Sequence, residues 1–335
     1  MHLLGYVAQR LVTILPTLLG LIILTFFLAR VVPADPAALI AGESATREQI
    51  ETLRKRYGFD KPLHVQLGIY LTQLASGNLG TSIYTGRPVL DDLRERFPAT
   101  LELTMVAIGV ATLLGVPLGV LSALNRNSWL DHVLRLGTTA GLAITGFWLG
   151  IMLQLFFVMD LDLFPLGGRI SGPTPHAITG FLTLDALLSL DATALLSALQ
   201  HLTLPAITLA YPAFATIVRF TRSGVLDIVQ RDFIMYEKAM GLPPRVIIFK
   251  YLLRNALTST VAQIGLLFGS LLAGAVVTEQ VFDWPGLGLY AVESIMKFDY
   301  QATLGITLWA GVAYSLANLL VDIIQVIIDP RTVRQ

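Results

Sequence analysis

Apolar residues run through this chain in blocks of bilayer length, not in the short alternations of a water-exposed sheet. Six blocks are long enough to cross a membrane: residues 11–29, 99–124, 136–159, 202–218, 256–278 and 302–328. At a helical rise of ~1.5 Å per residue the first covers about 28 Å, close to the thickness of a bilayer's hydrocarbon. It is longer than the apolar core of a secretory signal, so it reads as a retained span. The fourth block is the shortest and contains Pro205 and Pro212. A kinked helix is expected there, because spanning helices tolerate proline when neighbours satisfy the freed carbonyls. Residues 180–199 are also apolar in places but carry Asp185 and Asp191. A carboxylate at mid-membrane costs about 2.5–3.5 kcal/mol on insertion scales, so this stretch reads as an amphipathic helix outside the hydrocarbon. The pattern predicts an all-α integral membrane protein with six transmembrane helices.

Composition agrees. The 335 residues are 54% hydrophobic and 14% charged, against about 25% charged in soluble domains. Mean hydropathy is +0.69. Lys+Arg and Asp+Glu are equal at 23 each, so no basic excess points to nucleic acid. The absence of cysteine excludes disulfides, thiolate metal sites and thiol catalysis.

Orientation follows from Lys and Arg in the short loops. Arg126 and Arg135 follow the second block. Arg219, Arg222, Arg231, Lys238, Arg245, Lys250 and Arg254 follow the fourth, and Arg331 and Arg334 lie in the tail. The loops after the third and fifth blocks hold only Arg169 and Lys297. Both termini are therefore expected in the cytoplasm of a multi-pass membrane protein. Residues 30–98 are rich in both signs of charge. Long segments translocate regardless of charge, so this one reads as a small extracytoplasmic subdomain. In it, Thr46 and Gln49 have capping-box spacing, and Tyr57-Gly58 marks the end of that helix. The division expected is 1–98, first span plus extracytoplasmic segment, and 99–330, core transmembrane domain.

Lipid gives helices no hydrophobic reason to associate, so small residues must allow close backbone approach. Gly115/Gly119, Gly137/Gly141, Gly146/Gly150 and Gly265/Gly269 have that spacing. Routine helix packing is the plainer account of them; lining a solute path is the other. Ionisable residues inside the blocks are few, chiefly Glu102 and Asp322. That scarcity weighs against an ion-coupled transporter, which buries such groups as a relay. His201 stands alone before the fourth block and reads as a cap or interface residue, not a metal ligand. The chain has no G-x-x-x-x-G-K-[ST], G-x-S-x-G or H-E-x-x-H. No catalytic residue, metal or cofactor is expected on it, and an intramembrane enzyme has no nucleophile–base spacing to support it.

The cytoplasmic segment 219–255 is the most informative. From 222 to 240, Val225, Val229, Phe233, Tyr236 and Met240 recur at spacings of four, four, three and four, one face of an α-helix. Arg222, Asp227, Arg231 and Lys238 occupy other positions. Gly241 stands where a left-handed C-cap belongs, and Pro243-Pro244 stops the helix and opens the next. The spacing alone leaves two readings: a helix resting on the membrane surface, or a lever between two spans.

The run DFIMYEKAMGLPPRVIIFKYLLRNAL resembles the cytoplasmic EAA loop of ABC importer permeases. Counting back from Gly241, Met235, Tyr236 and Glu237 stand where that family has Glu-Ala-Ala. Further stretches, LGYVAQRLVTILPTLLGLIILTFFLARVVPADPA, GNLGTSIYTGRPVLDDLRERFPATLELT, FWLGIMLQLFF, FPLGGR, HLTLPAITLA, TEQVFDWPGLGLY and NLLVDIIQVIIDPR, resemble the dipeptide/oligopeptide/nickel permease family, in family order over nearly the whole chain. The resemblance implies the type I ABC importer permease arrangement and a bacterial inner-membrane location. It implies that Asp232, Phe233, Tyr236, Glu237, Lys238, Ala239, Met240 and Gly241 form the helix that couples to an ATPase. It implies a loop at the outer mouth containing Phe282, Trp284, Pro285 and Gly286; without it, Trp284-Pro285-Gly286 reads as a turn with an interfacial tryptophan. The partners implied are a second, homologous permease, two ATPase subunits carrying ATP and Mg, and an extracytoplasmic solute-binding protein. Cargo within the family ranges over peptides, glutathione, nickel complexes and oligosaccharides.

Overall fold

The structure is a computed structural model, and it describes residues 3–31, 36–42, 45–56 and 58–328. Among these the chain is helical, with only an isolated bridge between Thr81 and Pro88. Four helical stretches are long and apolar enough to cross a membrane. They are Val89–Leu124, Ala192–Val229, Pro244–Val281 and Tyr300–Ile324. A bent pair of helices, residues 129–143 and 146–160, meets the same criterion when taken together as one span, and α1 (Leu3–Val31) contributes the shorter apolar stretch Val12–Leu28.

After α1, short helices α2 (Pro36–Ala41), α3 (Arg47–Arg56) and α4 (Leu63–Ala75) form the segment before the second crossing. The expected capping box is present. Thr46 N–H donates to Gln49 Oε1 at 2.8 Å, and Gln49 N–H donates to Thr46 Oγ1 at 3.3 Å. Gly58 has φ +68° just past α3; Tyr57 lies outside the described residues, as do Arg331 and Arg334. Tyr70 of α4 stacks on Phe26 of α1 with ring centroids 5.9 Å apart, so this segment packs onto the first helix.

α5 (Val89–Leu124) and α9 (Ala192–Val229) form the central pair. At 36 and 38 residues they are about 54 and 57 Å long at ~1.5 Å per residue, well beyond a ~30 Å hydrocarbon layer. Both therefore project from the membrane. Leu103, Ala107 and Ala111 of α5 pack on Leu202, Ala206, Ala213 and Ile217 of α9. Pro205 and Pro212 lie within α9, which continues through them.

Three expectations are corrected. The third block is not one straight helix. α6 (Trp129–Ala143) and α7 (Gly146–Leu153), continued by a π-helical segment Gln154–Asp160, are bent by 106°, because Ile144 and Thr145 take extended backbone. The stretch 180–199 is not one amphipathic helix either. α8 (Leu182–Leu188) ends, and Asp191 caps α9 by accepting from Thr193 N–H at 3.1 Å and Ala194 N–H at 3.0 Å. The fourth helix thus starts ten residues before the apolar block, and His201 lies inside it. Finally, the helix expected over 222–240 breaks in two, as described below.

Past residues 230–252, α12 (Leu253–Val281) leads to α13 (Leu287–Met296) and α14 (Tyr300–Ile328). α14 packs on α1, where Arg10 Nε lies 3.2 Å from Asp322 Oδ2. The expected glycine seams are mostly real. A Cβ on Gly115, Gly119, Gly141, Gly150, Gly265 or Gly269 would press on a neighbouring helix, whereas Gly137 and Gly146 face open space.

Candidate functional sites at the two ends of the bundle

At one end, α9 stops at Val229, and α10 (Asp232–Ala239) starts in a new direction after Gln230 and Arg231. The apolar spacing read as one face therefore splits between two helices. Val225 is buried on α9 with Ala123, Ile247, Leu252 and Ala256. α10 is anchored by Ile234, which is 0% exposed in that cluster. Phe233, Tyr236 and Met240 point outward, Tyr236 63% and Met240 65% exposed, together with Met235. A short helix with one buried anchor and four bared apolar side chains offers a surface for another protein.

The turn after α10 is a Schellman motif. Gly241 N–H donates to Lys238 O at 3.0 Å, Leu242 N–H donates to Glu237 O at 3.3 Å, and Gly241 has φ +75°. Only glycine takes that conformation freely. Pro243 and Pro244 then start α11 (Pro244–Val246), which passes through a π-helical turn, Ile247–Leu252, into α12. A cavity of about 510 Å³ lies between α10 and this turn, lined by Ile234, Lys238, Leu242, Pro244 and Ile248. Asp232 sits exposed in the first turn of α10, where its charge suits the helix N-terminus, and Lys238 sits in the last turn. Glu237 and Ala239 complete the helix between them.

At the other end the structure gathers the loop 282–286 with residues from far apart in the chain. Trp284 is not interfacial: it is 1% exposed, and its Nε1–H donates to Ala99 O of α5 at 2.9 Å. Phe282 and Gly286 are buried too, and only Pro285 of the four is exposed. Beneath them Glu279 is wholly buried at the end of α12. It accepts from Thr100 Oγ1 at 2.6 Å and from Leu289 N–H at 3.0 Å, while Thr100 Oγ1 accepts from Leu287 N–H at 2.8 Å. Thus Glu279 and Thr100 satisfy the free N–H groups at the start of α13. A side chain at Gly286 would collide with the Glu279 carboxylate.

A strap from the 160–181 loop covers this loop. Gly168 N–H donates to Phe282 O at 3.0 Å, and Gln154 Nε2 donates to Leu166 O at 2.9 Å and Val281 O at 3.0 Å. Arg169 pairs with Glu102 and lies over the Trp284 ring, 5.5 Å from its centroid. Glu102 also accepts from Thr183 N–H at 2.8 Å. His201 bridges strap and α9, with Nε2 3.1 Å from Ser171 Oγ and Nδ1 2.8 Å from Ser197 O. Nearby, burial opposes ionisation of Asp185, but hydrogen bonds from the Thr179 hydroxyl and the Thr179 and Gly180 N–H groups outweigh it, holding its carboxyl below the ordinary range.

The sequence reading missed Glu279, Thr100, Ile234 and Asp131. The signal for Glu279 was present: an acid closing an apolar block just before a Trp-Pro-Gly turn. Ile234 carried no signal, because its inward position depends on the break at Gln230.

Comparison with known proteins is consistent along the chain. Residues 115–334 match the family described as binding-protein-dependent transport system inner membrane component, and residues 3–104 match that family's N-terminal region. The chain is 44% identical over 314 residues, 93% of its length and 92% of the relative's, to the probable D,D-dipeptide transport system permease protein DdpB of Escherichia coli K12. It is 36% identical over 329 residues to the dipeptide transport system permease protein DppB of Alkalihalophilus pseudofirmus, covering 98% of this chain and 99% of that one. It is 35% identical over 327 residues to the glutathione transport system permease protein GsiC of Salmonella typhi, covering 98% of each.

Proposed function

The chain belongs to the family of binding-protein-dependent transport system inner membrane components, and from that premise we propose that it forms half of the translocation path of an importer for dipeptides and oligopeptides. As a family member it is a transport permease and not an enzyme, and it works with a solute-binding protein and other subunits. In the proposed assembly the other half of the path is a homologous permease. Two separate ATPase subunits bind ATP and Mg, and the binding protein delivers cargo to the extracytoplasmic mouth. Both termini face the cytoplasm. The observation that carries the reading is α10: apolar side chains bared outward, one buried anchor inward, and a glycine-locked turn into the next span.

ATP binding displaces α10, α9 and α12 follow, and access alternates between the two sides of the membrane. The loop of Phe282, Trp284, Pro285 and Gly286 belongs to the outer mouth, where it is clamped by the strap and available to the binding protein only through its exposed edge. Support for a peptide cargo comes from the relatives, two of which are named as dipeptide transport permeases and one as a glutathione transport permease. A proton-coupled mechanism is disfavoured by the scarcity of ionisable residues within the spans.

The test is reconstitution of the whole complex. Gly241→Pro and Lys238→Glu should abolish ATPase activity stimulated by the binding protein and leave membrane insertion intact. Normal stimulation in both variants would refute the docking role of α10. Thermal stabilisation of the binding protein by di- and tripeptides, and not by oligosaccharides or nickel complexes, checks the cargo.

A further inference from the structure

A second cluster lies about two helical turns along α9 from the docking helix. Asp131, in the first turn of α6, is 0% exposed. Arg222 of α9 grips it with two parallel hydrogen bonds, Nε to Oδ1 at 2.7 Å and Nη2 to Oδ2 at 2.9 Å. Ser122 of α5 donates to Oδ1 at 2.6 Å, and Asn127 N–H donates to Oδ2 at 3.1 Å from a backbone with φ 65°. One carboxylate therefore joins the same end of three crossings. Close by, α5 and α9 touch backbone to side chain, since a Cβ on Gly119 would meet Thr221 and the Val218 carbonyl. From Arg222, α9 runs two turns to Val229, and α10 follows at once.

We propose that Asp131 and Arg222 are positioning residues for transport: they make α9 and the ends of α5 and α6 move as one body when α10 is displaced. The inference rests on the reading of α10 as the ATPase dock. Apolar side chains of similar volume would hold these helices without the cost of burying two charges. What the fork adds is a fixed angle, because a guanidinium and a carboxylate meet bidentately in one plane. α12 is attached differently, along the chain by Pro243-Pro244 and a π-helical turn and in space by the apolar cluster in which Ile234 meets Ala256. The clamp therefore fixes the angle at which the ends of α5 and α6 move with α9.

The experiment measures solute imported per ATP hydrolysed by the reconstituted full complex, alongside retention of the ATPase subunits in a pull-down. D131N and R222K should retain those subunits and lower the ratio by about tenfold. The double variant D131L/R222M, with its charges replaced by apolar groups, should recover the yield of folded complex but not the ratio. A purely structural role would change the amount of complex and leave the ratio at its wild-type value in all three, which would overturn the proposal; so would recovery of the ratio in D131L/R222M. Gly241→Pro separates the two ideas. If it leaves subunit retention and the ratio normal, the docking reading falls and takes the clamp with it. If it releases the ATPase subunits while D131N keeps a normal ratio, the clamp alone falls.

Discussion

Gly241→Ala isolates the contribution of one backbone angle to the docking helix. The residue sits at φ +75°, and a Cβ built there meets nothing within 4 Å. Sterics with neighbours therefore contribute nothing, and the cost is that of holding an L-residue in the left-handed region, about 1–2 kcal/mol. Since 1.4 kcal/mol is tenfold in an equilibrium constant, the constant for seating the turn should fall about 5–30-fold. An ATPase subunit that binds only the seated α10 loses affinity by up to the same factor. Gly241→Asn should lose much less, because asparagine tolerates this conformation. Gly241→Pro should lose more than alanine, because it also removes the N–H that bonds Lys238 O. Titrating purified ATPase subunits onto the permease in nanodiscs gives the three affinities. The order wild type, Asn, Ala, Pro is the expected one. An alanine variant with wild-type affinity, or an asparagine variant as weak as alanine, would refute the argument that the turn's handedness presents the helix.

Further predictions follow from the packing. Ile234→Ala removes the only fully buried side chain of α10 beside an existing cavity and should destabilise its seat by about 2–5 kcal/mol; protease nicking within 230–243 in membranes should rise accordingly. Trp284→Phe removes the indole N–H that bonds the Ala99 carbonyl, a net loss of about 0.5–1.5 kcal/mol for the hydrogen bond, read as a lowered thermal midpoint of the purified permease. Gly265→Ala should destabilise by driving a methyl into Val321, and Val321→Ala should reverse most of it in a double-mutant cycle. Asp185 has a depressed pKa when folded, so its contribution is complete above the ordinary carboxylate value of about 3.9 and is lost as pH falls through the folded value. Thermal unfolding between pH 7 and pH 3 should show a shallower acid loss for Asp185→Asn than for wild type; equal slopes would count against the assignment.

By itself the sequence determined that this protein lives in a membrane, because blocks of apolar residues of bilayer length have no other stable solvent. Motif spacing also reached local structures closed by neighbouring residues, such as the Thr46–Gln49 box and the glycine turn at Gly241. It did not reach features made by contacts distant in the chain. Periodicity joined Val225 to Met240 into one face, yet α10 turns away at Gln230, so Phe233, Tyr236 and Met240 face outward and Ile234 faces in. Trp284 looked like a surface aromatic until Ala99, some 185 positions away, took its N–H. Arg222 reads in the sequence only as one of the loop charges, and it is the packing of α6 on α9 that pairs it with Asp131. Local propensity and hydropathy are written in neighbouring residues, whereas the partner of a buried polar group is chosen by how whole helices pack.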